Sequence, residues 1–209
     1  MNLAKYIDYT LLKATAPPAD IEKLCQEAHQ YGFFSVCVNS SYVPLAAQLL
    51  KGTDVKVCTV VGFPLGAMST QGKLYETSTA LTEGADEIDM VINLGLFLSG
   101  QTAKVLDEIA LLKQETADKV LKVIIETCYL NDEQKRLAAQ LCVDAGADFV
   151  KTSTGFGTGG ATLADVQLIK EVVGDRAKIK ASGGIRNRET ALQYIDLGVS
   201  RIGASAILI

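Results

Sequence analysis

Residues 146–151 read Gly-Ala-Asp-Phe-Val-Lys (GADFVK), and the same arrangement recurs along the chain as GFFSVC (32–37), GADEID (84–89) and GVSRIG (198–203). In each copy a glycine that ends a helical segment precedes a short run typical of a strand. The fifth residue after the glycine is Cys37, Asp89, Lys151 or Gly203. The repeat therefore predicts recurring helix-to-strand units, each with one of these four residues near the end of its strand.

Along the whole chain, apolar runs alternate with amphipathic segments at helical spacing, a pattern typical of βα units with a parallel sheet. The predicted strands are 6–10, 33–39, 56–62, 87–93, 121–127, 149–153, 178–182 and 201–205. The predicted helices are 18–31, 42–51, 71–83, 103–116, 132–145, 163–173 and 188–197. Eight parallel strands favour an α/β fold of the (β/α)₈ TIM-barrel type, with an open doubly wound sheet as the alternative.

The length of 209 residues suits one compact domain spanning 1–209. No helix is predicted after the eighth strand, and the apolar end Ala206–Ile209 (AILI) predicts contact with another subunit, hence a homo-oligomer. The alternative is an incomplete barrel wall.

Composition narrows the class of function. Twenty Lys and Arg against 24 Asp and Glu give a formal charge of −4 without a basic block, which disfavours nucleic acid and anionic membranes as partners. The first residues lack the apolar core of a signal peptide, and no apolar run approaches the roughly 18 residues of a membrane helix. We therefore expect a cytoplasmic protein that acts on a small molecule.

Cysteine and histidine usage narrows the chemistry. The five cysteines are widely spaced without a C-x-x-C pair, which favours reduced thiols over disulfides or a zinc knuckle. His29 is the only histidine and follows polar residues, which disfavours a His-ligated zinc and a Ser-His-Asp triad. Covalent or acid–base chemistry would then depend on Lys, Asp, Glu, Cys or Tyr, and no metal is expected.

The repeat also predicts which side chains meet. Alternate strands of a barrel fill the same interior layer, so Cys37, Asp89 and Lys151 should point into one layer, with open space at Gly203. A buried carboxylate and a buried amine are costly choices for stability alone. A functional site is one interpretation, and a buried structural ion pair is the other.

Lys151 and Lys180 each lie at the strand end that leads into a loop, the face where barrel enzymes carry out their chemistry. Two nearby ammonium groups repel each other, and burial adds to this, so one of them should lose its proton readily. A neutral amine can form a Schiff base with a carbonyl, and the protonated Schiff base is an electron sink for breaking a neighbouring carbon–carbon bond. Asp89 could hold the second ammonium and shuttle protons. Lys122, at the entrance of its strand, is predicted to be structural and to reach water.

Glycine-rich segments follow the last strands. GFGTGG (155–160) matches the dinucleotide fingerprint by letter, but the next strand, KIKAS, does not end in the acidic residue that a nicotinamide site needs. SGG (182–184) and GAS (203–205) instead predict a phosphate site made of backbone amides, with tight turns as the alternative. Further donors are expected from the strand-six loop: Thr154, Gly155 and Gly157.

Eight segments together carry a resemblance: IDYTLLK (7–13), VCVNSSYV (36–43), VVGFPLG (60–66), GADEIDMVIN (84–93), KVIIET (122–127), GADFVKTSTGF (146–156), KASGGIR (180–186) and RIGAS (201–205). In this order they resemble the deoxyribose-phosphate aldolase family, class I aldolases of the barrel fold. The resemblance implies reversible cleavage of 2-deoxy-D-ribose 5-phosphate into D-glyceraldehyde 3-phosphate and acetaldehyde, without a metal or organic cofactor. A barrel that binds a sugar phosphate without chemistry is the alternative.

The resemblance also implies residue roles. Lys151 corresponds to the Schiff-base lysine, Lys180 to the second lysine that lowers the pKa of the first, and Asp89 to the aspartate of the proton relay. Substrate contacts are implied at Asp8, Thr10 and Cys37, and phosphate contacts at Gly183, Gly184 and Ser205. Phe156 stands where some members place a lysine near the phosphate, so we expect phosphate binding to depend on backbone amides and Arg186. Some members carry a C-terminal tail with a tyrosine at the site, which this sequence does not contain.

Overall fold

Eight parallel strands form a closed barrel in a computed structural model that describes residues 2–206. The strands are β1 (Ile7–Leu11), β2 (Ser35–Val38), β3 (Lys56–Val61), β4 (Glu87–Val91), β5 (Val120–Ile124), β6 (Phe149–Lys151), β7 (Lys178–Ser182) and β8 (Arg201–Ala204). Each strand pairs with the next along the chain, and β8 pairs with β1. The predicted TIM barrel is confirmed, and the open doubly wound sheet is wrong.

The helices lie between consecutive strands: α1 (Pro18–Tyr31), α2 (Val43–Leu49), α3 (Thr70–Thr82), α4 (Leu94–Leu98), α5 (Thr102–Thr116), α6 (Asp132–Asp144), α7 (Leu163–Val173) and α8 (Arg188–Asp196). Their ends follow local sequence signals. Pro18 opens α1 and Gly32 closes it in the left-handed conformation, with φ of 66°. Asn131 and Gln134 form a capping box at the start of α6.

The predicted elements differ from the observed ones in two ways. Most strands are shorter than predicted, and Tyr6 belongs to a 3₁₀ turn, Leu3–Tyr6, before β1. Helix α4 was not predicted, because its five residues span little more than one helical turn and show no repeating apolar face. Neither difference changes the order of strands in the barrel.

The interior of the protein contains two different environments. The main apolar core lies between the barrel wall and the helices, and includes Ile21, Ile88 and Ile109. A smaller apolar cluster lies inside the barrel and consists of Leu12, Cys37, Cys58 and Val60, with Phe63 against it. Charged side chains occupy the remaining interior, where a barrel ordinarily carries Val, Ile and Leu.

The last element among the described residues is β8. Most of the apolar end on which the oligomer prediction rests, residues 207–209, lies outside the described part of the chain. Within residues 2–206, no helix combines the length and the apolar character needed to cross a membrane.

Candidate active site

Seven charged side chains meet inside the barrel, and each residue is at most 6% exposed: Asp8, Glu87, Asp89, Lys122, Lys151, Lys180 and Arg201. Six strands contribute them, from β1 and from β4 to β8. The strand register brings them to neighbouring positions, since Asp89 pairs with Lys122 across β4 and β5, and Lys151 pairs with Lys180 across β6 and β7. The predicted meeting of Asp89 with Lys151 and Lys180 is present in the structure.

Asp89 is the centre of this cluster. Its carboxylate accepts hydrogen bonds from the ammonium groups of Lys122 at 2.8 Å, Lys151 at 2.7 Å and Lys180 at 2.8 Å. Burial alone would raise the pKa of Asp89, but the three ammonium groups outweigh it and hold the pKa well below its ordinary value. Asp89 is therefore a carboxylate throughout the physiological pH range.

Lys180 is held as a cation by two carboxylates. Its Nζ lies 2.5 Å from Asp8 Oδ2 and 2.8 Å from Asp89 Oδ2. Burial favours the neutral amine, but the charges of Asp8 and Asp89 outweigh burial and raise the pKa of Lys180 far above its ordinary value. The amine predicted to lose its proton readily is therefore not Lys180.

Lys122 also belongs to the cluster, which corrects its predicted contact with water. Its side chain is fully buried, and its Nζ lies 2.6 Å from Glu87 Oε2 and 2.8 Å from Asp89 Oδ1. Although burial opposes it, the negative charge around Lys122, chiefly that of Asp89, raises the pKa of Lys122 well above its ordinary value. Lys122 points into the barrel because the register of β4 and β5 pairs it with the inward-facing Asp89.

Asp8 and Arg201 lie on the side of the cluster nearest the amino ends of the strands. Asp8 Oδ1 accepts hydrogen bonds from Arg201 at 2.7 Å and from the Ser35 hydroxyl at 2.7 Å. Arg201 also donates to both oxygens of Glu87, at 3.1 and 2.9 Å. Despite burial, Lys180, Lys122 and Arg201 hold the pKa of Asp8 far below its ordinary value. Asp8 thus holds Lys180 from the amino-end side of the cluster.

Glu87 and Arg201 were not predicted to lie in this cluster, although the sequence carries a signal for both. Side chains two residues apart on a strand point to the same face. Glu87 stands two residues before Asp89, and Arg201 two residues before Gly203. The rule that placed Asp89 in the interior could therefore have placed Glu87 and Arg201 there as well.

A pocket of about 320 Å³ opens at the carboxyl ends of the strands. Its lining includes most of the predicted site residues: Thr10, Lys151, Thr154, Gly155, Ser182, Gly183, Gly184, Arg186, Gly203 and Ser205. The predicted donor Gly157 does not line it. The other predicted residues, Asp8, Cys37, Asp89 and Lys180, are fully buried beneath it. Of the three clustered lysines, only Lys151 lines the pocket.

The glycine segments allow two loops to touch. A Cβ atom at Gly160 would lie 2.2 Å from the Gly183 carbonyl oxygen, so only glycine permits the contact. Gly183 and Gly184 have φ of +85° and +80°, a conformation that other residues rarely adopt. The GFGTGG segment therefore brings the β6–α7 loop against the β7–α8 loop at the rim of the pocket.

Glu126, another residue that the sequence analysis missed, anchors the β6–α7 loop from below. It is buried, with φ of 51°, and its carboxylate accepts hydrogen bonds from the Thr154 amide at 3.2 Å and from the Thr154 hydroxyl. The Thr154 hydroxyl in turn accepts one from the Phe156 amide at 3.0 Å. The amide and the hydroxyl of Thr154 are thus engaged within the protein. Its predicted role as a direct donor to substrate is correspondingly weakened.

Cys37, Cys58 and Asp89 offer ligand atoms that lie within 4.8 Å of one another. The three ammonium groups around Asp89 would oppose a divalent cation there, so these residues make a poor metal site. A hydrogen bond from Cys58 lowers the pKa of the Cys37 thiol, and Lys180 and Lys151 contribute to this although the thiol is buried.

Comparisons with known proteins place these features in one family. The family model described as DeoC/LacD family aldolase matches residues 3–208. A deoxyribose-phosphate aldolase of Carboxydothermus hydrogenoformans is 57% identical over 209 residues, covering 98% of this chain and 92% of the relative. One of Finegoldia magna is 57% identical over 206 residues, covering 99% and 97%.

A solved structure agrees with the sequence relatives. The tetrameric deoxyribose phosphate aldolase of Aeropyrum pernix matches with a TM-score of 0.89 and 36% identity, covering 97% of this chain and 86% of that one. The predicted resemblance and the prediction of an aldolase, a carbon–carbon lyase, are confirmed. This chain belongs to the DeoC/LacD family of aldolases.

Proposed function

We propose that this aldolase reversibly cleaves 2-deoxy-D-ribose 5-phosphate into D-glyceraldehyde 3-phosphate and acetaldehyde through a Schiff base on Lys151. The observation that carries the proposal is the position of Lys151 at the base of a glycine-rimmed pocket. Among the carboxylates of residues 2–206, its Nζ pairs with Asp89 alone. The names of the two relatives that are 57% identical support the choice of substrate.

The number of nearby carboxylates distinguishes Lys151 from Lys122 and Lys180 as the amine that reacts. The cluster holds four cationic side chains against three carboxylates, an excess of one positive charge when all are ionised. Lys122 and Lys180 each have at least two carboxylates within 4 Å, whereas Lys151 has one. Loss of the proton from Lys151 makes the cluster neutral, because the remaining three cations match the three carboxylates.

The reaction follows from that neutral amine. Lys151 Nζ adds to the aldehyde carbon C1, and loss of water from the carbinolamine leaves a protonated Schiff base. When the C3 hydroxyl loses its proton, C3 becomes the aldehyde carbon of glyceraldehyde 3-phosphate. The electron pair of the C2–C3 bond then forms the C1=C2 bond of an enamine. Protonation of C2 and hydrolysis release acetaldehyde and restore the amine.

Asp89 and Lys180 support these steps. Lys122 and Lys180 keep Asp89 ionised whether or not Lys151 is charged, so its carboxylate can stabilise the positive Schiff base at 2.7 Å from the original amine position. Lys180 remains an ammonium 2.8 Å from the same carboxylate and keeps it in place. In the proposal, protons pass between the reacting groups and this pair through water in the pocket.

Borohydride trapping tests the proposal. Acetaldehyde with borohydride should leave a two-carbon adduct on Lys151, read by intact mass and peptide mapping. Lys151→Ala should abolish both adduct and turnover while the circular dichroism spectrum is retained. Lys178→Ala is the matched control, because Lys178 is exposed at the opposite end of β7. The Lys178→Ala protein should form the adduct normally. A metal chelator should leave the turnover of the wild type unchanged.

Two results would contradict the proposal: no adduct on the wild-type protein, or an adduct that persists in Lys151→Ala. A barrel that only binds a sugar phosphate would show the first result together with measurable phosphate affinity. No structural observation favours that alternative, since mere binding does not need a lysine buried beside Asp89.

We also propose that the protein works as a homo-oligomer in the cytoplasm. The tetrameric Aeropyrum pernix relative supports assembly, and five free cysteines suit a reducing compartment. Light scattering after size exclusion should give a mass above that of one 22.3 kDa chain, and a monomer at all concentrations would contradict the assembly.

A further inference from the structure

Three cationic side chains line the pocket: Lys13, Lys151 and Arg186. Lys151 at its base is engaged with Asp89. Lys13 and Arg186 are exposed at the mouth. No function was predicted for Lys13, which lies two residues after β1, the strand that carries Asp8 and Thr10.

Lys13 also lines a neighbouring pocket with Asp20 and Glu27, but no described residue forms an ion pair with either cation at the mouth of the first pocket. Among the described residues that line it, none is acidic. Neither Lys13 nor Arg186 forms an ion pair with any residue from 2 to 206. Two unpaired positive charges therefore face one opening of a chain whose net charge is −4. Such an arrangement favours an anionic ligand group at the mouth.

The barrel closure places the segments that carry these two cations on either side of the end of β8. Strand β1 pairs with β8, so the segment that leads to Lys13 runs beside the segment that ends at Ser205. Strand β7 pairs with β8 on its other side, and Arg186 follows the Gly183–Gly184 turn after β7. An anion bound at the amides between them would have a cation on each side.

We propose that Lys13 binds the substrate phosphate together with Arg186 and thereby determines the preference for phosphorylated substrates. This inference rests on the proposed function. An ammonium on a flexible stem suits a phosphate dianion as a point charge, while the Arg186 guanidinium can donate two parallel hydrogen bonds. Lys13 lies at the mouth, far along β1 from the buried cluster at Asp8, so its charge acts on binding and not on the carbon–carbon bond.

The test compares Lys13→Gln with the wild type on two substrates, 2-deoxyribose 5-phosphate and unphosphorylated 2-deoxyribose. For the phosphorylated substrate, KM should rise about tenfold or more, the scale of one charge-assisted contact, with kcat nearly unchanged. For the unphosphorylated substrate, kcat/KM should not change. The inhibition constant of inorganic phosphate should rise by a similar factor, and Lys13→Arg should restore most of the affinity.

Lys23→Gln is the matched control. Lys23 is an exposed lysine on α1 whose side chain is 72% exposed and pairs with Glu27 at 3.8 Å, so its loss removes the same charge without removing a lining residue of the pocket. It should leave the KM of the phosphorylated substrate within about twofold, as expected for a screened surface charge.

Several outcomes would overturn the inference. Equal losses on both substrates, no loss on either, or the same loss in Lys23→Gln would each show that Lys13 does not bind the phosphate. Should the wild type fail to form the borohydride adduct, the proposed function fails on its own. Calorimetric titration with inorganic phosphate would then still decide on Lys13, because equal affinity in the wild type and Lys13→Gln would refute its role.

Discussion

Gly203 leaves the space that the Lys180 side chain needs to reach Asp8 and Asp89. It lies opposite Asp8 on one side and Ser182 on the other. A Cβ atom at Gly203 would lie 2.9 Å from Ser182 Cβ and 3.3 Å from Lys180 Cε. Because its φ is not in the left-handed region, space and not backbone conformation requires glycine here. The predicted open space in the interior layer therefore has a specific occupant.

Gly203→Ala should lower kcat about 10- to 100-fold, because a shift of about 1 Å in a positioned group can cost that much. The steady-state rate and the rate of borohydride trapping measure the effect. Gly95→Ala is the matched control: its φ is also ordinary, and its new Cβ would meet only Asn93 Oδ1 at 3.4 Å. Full activity in Gly203→Ala, with a normal melting temperature, would show that Lys180 does not need this space.

At the scale of elements, the segment after β5 holds the loop after β6. Glu126 accepts both polar hydrogens of Thr154, and Gly157 packs so closely that a Cβ there would lie 3.3 Å from Glu126 Cδ. Glu126 adopts φ of 51°, which an L residue keeps only where its surroundings require it. The rim of the pocket at Gly155 and Phe156 is therefore positioned by a residue that does not line the pocket.

Glu126→Ala should leave the Thr154 amide without its partner and lower the free energy of unfolding by about 1–3 kcal/mol. Glu126→Gln should lose less, because its amide oxygen can still accept from the Thr154 amide. Urea unfolding measures the stability, and hydrogen exchange at residues 154–157 measures the order of the loop. Unchanged protection of these amides in Glu126→Ala would contradict the anchoring role.

At the scale of the whole molecule, the interior charge cluster couples stability to pH. The pKa values of Asp8 and Asp89 are lowered from 3.8, so the stability they contribute is fully present above about pH 4 and is lost only as pH falls through the depressed values. The pKa values of Lys122 and Lys180 are raised from 10.5, so their contribution is present below about pH 10.5 and is lost as pH rises through the raised values. These four residues should therefore contribute a constant stability between these limits.

Lys122→Met should lower the free energy of unfolding at pH 7 by about 3–5 kcal/mol, the usual cost of removing one partner from a buried ion pair. The acid unfolding midpoint should also move to higher pH, because Asp89 loses the strongest of the charges that lower its pKa. Urea titrations from pH 3 to pH 8 measure both effects.

Lys119→Met provides the control for that series. Lys119 precedes β5 and pairs with Asp86 at 3.7 Å on the surface, where such a pair contributes about 0–1 kcal/mol. A similar loss in both variants, or an unchanged acid midpoint in Lys122→Met, would show that the interior cluster does not control the pH dependence.

Local signals predicted most elements well. Helices 18–31 and 163–173 and strand 178–182 agree with the structure at both ends. Proline at a first turn, glycine at a helix end and runs of β-branched residues act within a few residues of the chain, so they can be recognised without tertiary contacts. Helix α4 was not predicted because a segment of five residues carries too few of these local signals.

The sequence by itself determined the barrel, the interior direction of Asp89 and Lys151, and the glycine turns at the pocket, because these follow from strand alternation and backbone conformation. Only the tertiary structure decided that Lys122 joins Lys151 and Lys180 on one carboxylate, that Arg201 reaches Asp8, and that Glu126 holds Thr154. These partners are 28 to 193 residues apart in the chain. Their pairing depends on the stagger of neighbouring strands around the closed barrel, which no local pattern of residues encodes.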